Sequence, residues 1–227
     1  MMWSYYGSKS KVIDFYPPPK YGKIIEPFAG TARYSLKWFD RDILLVDKYP
    51  VIIEVWNYLK EASPADIMQL PEPKYHESLD DYKLSNGERY LLGFLANRGN
   101  GTPCKLINNY SDITGAKKII ANQLFKIRHW VIRQGSYDDI VNQEATWFID
   151  PPYQIGGHKY HEHKINFKSL GEWCKSRSGQ IIVCENTKAK WMPFLPMIDM
   201  KGCAFKTTEA IWSNMETNYE YQQQSLF

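Results

Sequence analysis

Apolar positions near the start of the chain fall in short runs separated by proline, glycine and single charges. The run Lys23-Ile24-Ile25-Glu26 ends on Pro27-Phe28-Ala29-Gly30, and the mixed segment from Thr31 to Asp40 follows, which predicts a strand, a tight turn and a helix. A second run, Ile43-Leu44-Leu45-Val46, stops on Asp47, and beyond it Val51, Val55, Tyr58 and Leu59 fall near helical spacing as far as Glu61. That opening is βαβα. Further on, Thr146-Trp147-Phe148-Ile149 stops on Asp150, and Gln180-Ile181-Ile182-Val183-Cys184 forms another apolar run. Runs of this length and purity belong to parallel strands buried on both faces. The stretch from Phe167 to Lys175 predicts a crossover helix, and Phe205 to Trp212 with Tyr219 to Tyr221 predicts a hairpin closing the sheet. The fold class expected is α/β, doubly wound and Rossmann-like.

Between Pro64 and Gly115 this rhythm breaks. Pro64, Pro71, Pro73, Gly87, Gly99, Gly101, Pro103 and Gly115 punctuate the segment. Gly30 and Asp150 are 120 positions apart, whereas a strand–helix–strand–helix path with short loops needs about 70. The surplus predicts a small inserted subdomain over residues 64–115, set into a main domain made of residues 1–63 and 116–227.

Composition narrows the class without naming a function. The 227 residues are 44% hydrophobic and 23% charged, with 8 Trp, 16 Tyr and 10 Phe, which is ample material for a core. A net charge of +3 permits a nucleic-acid partner on one basic face and does not demand one. Cys104, Cys174, Cys184 and Cys203 show no CxxC pair, so free thiols in a reducing compartment are expected. No apolar run reaches the roughly 18 residues of a membrane span, and a soluble cytoplasmic protein without a membrane partner is expected.

Asp150-Pro151-Pro152-Tyr153, placed directly after an apolar strand, is the sharpest chemical signal. Open α/β sheets bind ligands beyond the carboxyl ends of their strands. A carboxylate there accepts one N–H of an exocyclic amine, the carbonyl of a proline-stiffened turn accepts the other, and an aromatic ring next to them stacks on a planar base. Such a corner renders the amine nucleophilic and aims it. A base within a duplex reaches it only when flipped out of the stack. A surface turn following a buried strand is the competing account of the same four residues.

Glu26-Pro27-Phe28-Ala29-Gly30-Thr31 supplies a glycine turn whose free backbone N–H groups face an anionic group, and Asp47 stands where doubly wound folds place an acid for ribose hydroxyls. A nucleoside ligand fits that pair. Taken singly, Gly30 is equally a turn residue and Asp47 equally a helix cap. Upstream, Tyr5-Tyr6-Gly7-Ser8-Lys9 combines aromatic rings, a glycine and a cation.

These four elements, in this order, resemble the Dam-type DNA adenine-N6 methyltransferases over about half the chain. The resemblance implies S-adenosyl-L-methionine as cofactor, held by Tyr5, Tyr6, Gly7, Lys9, Glu26, Pro27, Phe28, Gly30, Thr31, Asp47, Ser136, Tyr137 and Asp150. Phe28 and Gly30 would line its methionine end and Asp47 would hold its ribose. Asp150, Pro151, Pro152 and Tyr153 would form the catalytic corner, and duplex DNA with the target adenine flipped out would be the partner of a monomer or weak dimer. Two positions depart from the family pattern. Ala32 stands where the glycine turn usually has a second Gly, and Ser136, with Asp138 two positions on, stands where an acid often contacts the cofactor's adenine.

DNA contacts are expected from Asn97, Arg98 and Lys105 in the insert and from His158, Lys159 and His161 in the Gly-rich, basic run after the corner. Lys117, Lys118, Lys126, Arg128 and Arg133 recur near helical spacing and either track a phosphate backbone or form a solvated helix face. No metal is expected, since His158, His161 and His163 have no second ligand cluster. RNA, cytosine N4 or a protein glutamine presents a similar amine, and a non-catalytic nucleic-acid-binding subunit is a third reading. The intact acid and aromatic ring favour an enzyme, and the long insert favours a duplex acceptor.

Overall fold

The computed structural model describes residues 2, 3, 7, 9, 12–96, 99–108, 112–201 and 206–215. Seven strands form one sheet in the order β3-β2-β1-β4-β5-β7-β6. They are β1 (Lys23–Glu26), β2 (Asp42–Asp47), β3 (Val131–Gln134), β4 (Ala145–Ile149), β5 (Gly179–Asn186), β6 (Leu195–Lys201) and β7 (Lys206–Ser213). The first five run parallel, and β7 lies antiparallel between β5 and β6.

The period-two alternation of the strands divides the core into two. Ile24, Ile43, Leu45, Phe148, Ile182 and Cys184 pack on one face, whereas Ile25, Val46, Trp147, Ile149, Ile181 and Val183 pack on the other. Helix α2 (Pro50–Glu61) covers the first face with Ile52, Val55, Trp56 and Leu59. Helix α6 (Phe167–Lys175) covers the second with Leu170 and Cys174. Pro50 occupies the first turn of α2, where its missing N–H costs nothing, and Asn166 caps α6 by accepting the Ser169 N–H at 3.1 Å. Coverage on both faces makes the sheet doubly wound, as the apolar runs predict.

Three sequence expectations are corrected. The helix expected from Thr31 to Asp40 contracts to α1 (Arg33–Lys37), because Ala32 adopts a left-handed conformation (φ 44°, ψ 48°) that starts the helix late. The closing hairpin pairs β7 with β6, whose Leu195-Pro196-Met197 opening hides the strand signal; Tyr219 to Tyr221 lie outside the described residues. The basic series does not share a helix face. Lys117 and Lys118 belong to α5 (Ile113–Ala121), Lys126 to a 3-10 turn and Arg133 to β3. Lys117 is buried, donating to the Leu70 carbonyl at 2.6 Å and to Glu72 at 2.9 Å, and Arg128 donates to the Lys60 and Ala62 carbonyls. Lys117 is thereby tied inside the fold, and Arg128, exposed, is tied to the end of α2.

Within residues 64–115 lie α3 (Pro64–Gln69), a 3-10 turn (Leu79–Asp81) and α4 (Asn86–Ala96). Leu91, Leu92 and Phe94 of α4 join the same apolar cluster as α2, against which α4 packs. No described helix is long and apolar enough to cross a membrane. Cys104, Cys174 and Cys184 are free thiols, and Cys203 lies outside the described residues.

Candidate active site

The order of the sheet reverses between β1 and β4, which leave their carboxyl ends side by side with connections departing to opposite faces. A crevice opens at such a switch point. Here it is a cavity of about 250 Å³ whose wall includes Glu26, Phe28, Gly30 and Asp47 from the β1 and β2 ends, and Asp150 and Pro152 from the β4 end. The glycine turn and the acidic proline corner, 120 positions apart in the chain, therefore face one space.

Gly30, at φ 44°, takes a conformation open to glycine at no cost and aims its N–H at Asp47 Oδ2, 3.0 Å away. Asp47 Oδ1 accepts the Tyr49 N–H at 2.9 Å, while Trp56 Nε1 donates to the Gly30 carbonyl at 2.8 Å. The Lys48 N–H also bonds this carboxylate. Burial pushes this carboxyl up to about 6, against the pull of the N–H groups of Gly30 and Tyr49. Glu26 is buried on the first face of the sheet, accepts the Ser35 N–H at 2.7 Å, and is pushed by burial up to about 8. Phe28 stacks on Tyr137 with ring centroids 5.6 Å apart, and Ser136, Tyr137 and Asp138 all line the cavity.

At the proline corner, Lys9 reaches Asp150 Oδ1 at 2.8 Å and stands 4.5 Å above the Tyr153 ring centroid. Burial raises the Asp150 carboxyl to about 6, and Lys9 opposes that rise. Burial by itself would lower the Lys9 ammonium, but Asp150 and Glu209 outweigh it and hold the group well above the ordinary lysine value. The Tyr153 hydroxyl donates to Glu209, and the turn is tied to β5 through the Gln154 N–H, which reaches Glu185 at 2.5 Å. Pro151 and Tyr153 are not part of the cavity wall.

Of the expected site residues, Gly7, Lys9, Glu26, Pro27, Phe28, Gly30, Thr31, Asp47, Ser136, Tyr137, Asp150 and Pro152 are brought together here. Tyr5, Tyr6, Asn97 and Arg98 lie outside the described residues. Lys105 sits apart on the insert, its side chain 77% exposed and 3.7 Å from Asp80. His158 and Lys159 are exposed in a 3-10 turn, and His161 stacks on Tyr49 at 4.4 Å. The run after the corner folds across the cavity through Tyr160, Glu162, Lys164 and Ile165, and Glu162 pairs with Lys48 at 3.2 Å. No group of three or more potential metal ligands occurs among the described residues.

Sequence reasoning missed Arg33 and Tyr49 in the wall and Glu209 behind it, while Glu162 and Lys164 belong to the basic run after the corner. Arg33 follows the glycine turn directly and was legible as a neighbouring cation. Glu209 carries no local signal, since only pairing of β7 with β5 brings it beside the corner.

No protein-family model and no curated protein sequence matches the chain. Thirty chains of solved structures are similar to it, among them the following three. A provisionally named methyltransferase of Escherichia coli, yhhF, is 8% identical over 90% of this chain and 78% of its own, with a TM-score of 0.38. A conserved hypothetical protein of Streptococcus pyogenes is 9% identical over 83% and 84%, with a TM-score of 0.35. A provisionally named methylase of Haemophilus influenzae is 10% identical over 86% and 80%, with a TM-score of 0.37. Likenesses this distant carry nothing about this chain's chemistry.

Proposed function

We propose that this chain is an S-adenosylmethionine-dependent methyltransferase acting on the N6 amine of adenine in DNA. The observation that carries the reading is the common cavity of Glu26, Gly30 and Asp47 with Asp150 and Pro152. The residues present fit that cofactor. Asp47 stands in the cavity wall as an acceptor for a ribose hydroxyl, the stacked rings of Phe28 and Tyr137 offer an apolar wall to a purine, and buried Glu26 suits a cationic group. Arg33 and Lys164 supply positive charge in the same wall for a carboxylate.

The cofactor, when bound, supplies an already activated methyl group on a cationic sulfur. The protein's part is alignment and charge. Asp150 would accept one N–H of the target amine and a carbonyl of the proline-stiffened turn the other, and both hydrogen bonds would strengthen as positive charge grows on the nitrogen. With the methyl group supplied by the bound cofactor, the amine's surplus proton would leave along the hydrogen bond to Asp150. The insert and the basic run, with Lys105, His158, Lys159 and His161 at their surfaces, are proposed to grip the duplex, and base flipping brings the adenine to the corner.

Asp150→Ala tests the assignment: turnover should vanish while calorimetric cofactor affinity stays within a few-fold of the parent protein. Acceptor class is tested by supplying labelled methyl donor with duplex DNA, single-stranded DNA or RNA in separate reactions, followed by nucleoside mass spectrometry. N6-methyladenine in the duplex reaction is expected, and label found only in protein would overturn the reading.

A further inference from the structure

Behind the proline corner lies a buried charged cluster that the transfer chemistry leaves unused. Glu209, on β7, is 2% exposed. It accepts the Tyr16 hydroxyl at 2.5 Å and the Tyr153 hydroxyl, and its Oε1 lies 3.6 Å from the Lys9 ammonium. That same ammonium is held by Asp150 at 2.8 Å and hangs over the Tyr153 ring. A carboxylate acceptor and an aromatic face are the two contacts that the corner offers to a base amine, so Lys9 holds the amine's place. An amine that takes the Lys9 position on Asp150 Oδ1 displaces the ammonium, and a buried ammonium left without a counter-charge is costly. Glu209 is the second carboxylate within reach, and among the described residues its one ion pair is with Lys9.

We propose that Glu209 is a positioning residue for the Asp150 corner: it fixes the Tyr153 ring through its hydroxyl and takes over the Lys9 ammonium when the target amine displaces it from Asp150. The exchange conserves charge, because one ammonium is shared between two carboxylates before and after a neutral amine enters. The geometry asks for little movement, since both carboxylates already lie within 4 Å of Nζ. Other groups facing the cluster are Tyr16 from the segment before β1, Cys184 from β5, Tyr160 from the run after the corner, and Glu26 and Glu185 beyond Asp150. None of these is a second cation.

The inference rests on the methyltransferase reading, and its test separates the two. Glu209→Gln removes the receiving charge at nearly constant shape, and Glu209→Asp keeps the charge one methylene shorter. With the first variant, kcat on duplex DNA should fall about 10- to 100-fold, the range seen when an outer partner of a functional group is removed. Cofactor affinity by calorimetry should stay unchanged, and Glu209→Asp should recover at least part of the loss. A second readout needs no turnover: fluorescence anisotropy with single-stranded oligodeoxyadenylate and with the same oligomer lacking its 6-amino groups, S-adenosylhomocysteine present. The parent protein should prefer the amine-bearing oligomer about tenfold, and Glu209→Gln should bind the two alike. If Glu209→Gln does not fold, a Glu209→Asp protein that discriminates and turns over as badly as Asp150→Ala overturns the charge-exchange role. Undiminished kcat and discrimination in Glu209→Gln overturn the inference and leave the methyltransferase reading standing. A parent protein that methylates no nucleic acid overturns both.

Discussion

Replacing Glu26 by Gln should make the empty protein more stable while weakening its hold on the cofactor. Glu26 is 2% exposed, accepts one backbone N–H, and is pushed by burial from 4.5 to about 8. Because the folded value is raised, the folded protein binds this proton more tightly than the unfolded chain does. Its contribution to stability is complete below pH 4.5 and is lost as pH rises through about 8. Over the two and a half pH steps from 4.5 to 7, at about 1.4 kcal/mol per step, the loss comes to roughly 3 kcal/mol. Gln keeps the acceptor for Ser35 and never ionises, but it brings an amide N–H whose lack of a partner costs about 1 kcal/mol. A net gain of about 2 kcal/mol at pH 7 follows, which for a chain of 227 residues is about 4–8 °C in Tm. Scanning calorimetry at pH 5, 7 and 8.5 should show the gap between variant and parent narrowing toward acid pH and widening toward alkaline pH. The cofactor side is read by titration calorimetry in two buffers of different ionisation heat. A cation arriving beside Glu26 should expel about 0.9 proton at pH 7 from the parent and none from the variant. A variant that melts at or below the parent's temperature at pH 7 would refute the burial argument, and equal proton release from both proteins would remove Glu26 from the cation's side of the site.

Turnover should fall as pH drops through about 6, because protonation of Asp150 removes the amine's acceptor, and a kcat profile flat down to pH 5 would contradict that role. Gly7→Ala places a Cβ 1.6 Å from the Tyr160 hydroxyl at φ +76°, so about 1–2 kcal/mol of stability and at least tenfold in cofactor Kd should be lost, measured by melting and calorimetry. Lys105→Ala should flatten the log-log salt dependence of duplex binding by about one ion. Lys117→Ala should leave that slope alone and lower Tm instead, since its ammonium is buried on Leu70 and Glu72.

What could be read along the chain is what depends on neighbours in sequence. The apolar runs of β1, β2, β4 and β5, the crossover helix Phe167–Lys175 and the paired motifs at Gly30 and Asp150 all carry their signals within about ten residues, since strand burial, helix periodicity and turn chemistry are local. The doubly wound class and the placing of both motifs at strand ends followed from those signals. Tertiary structure alone decided that β6 closes the sheet beside β7, that Lys117 turns inward while Arg128 binds the Lys60 and Ala62 carbonyls from the surface, and that Ala32 takes a left-handed conformation. It also decided that Lys9 rests on Asp150 and that Glu209 stands behind both. A charge has no periodicity to announce its partner. Which ammonium meets which carboxylate depends on where desolvation leaves each of them, and that is known only once the strands are laid side by side.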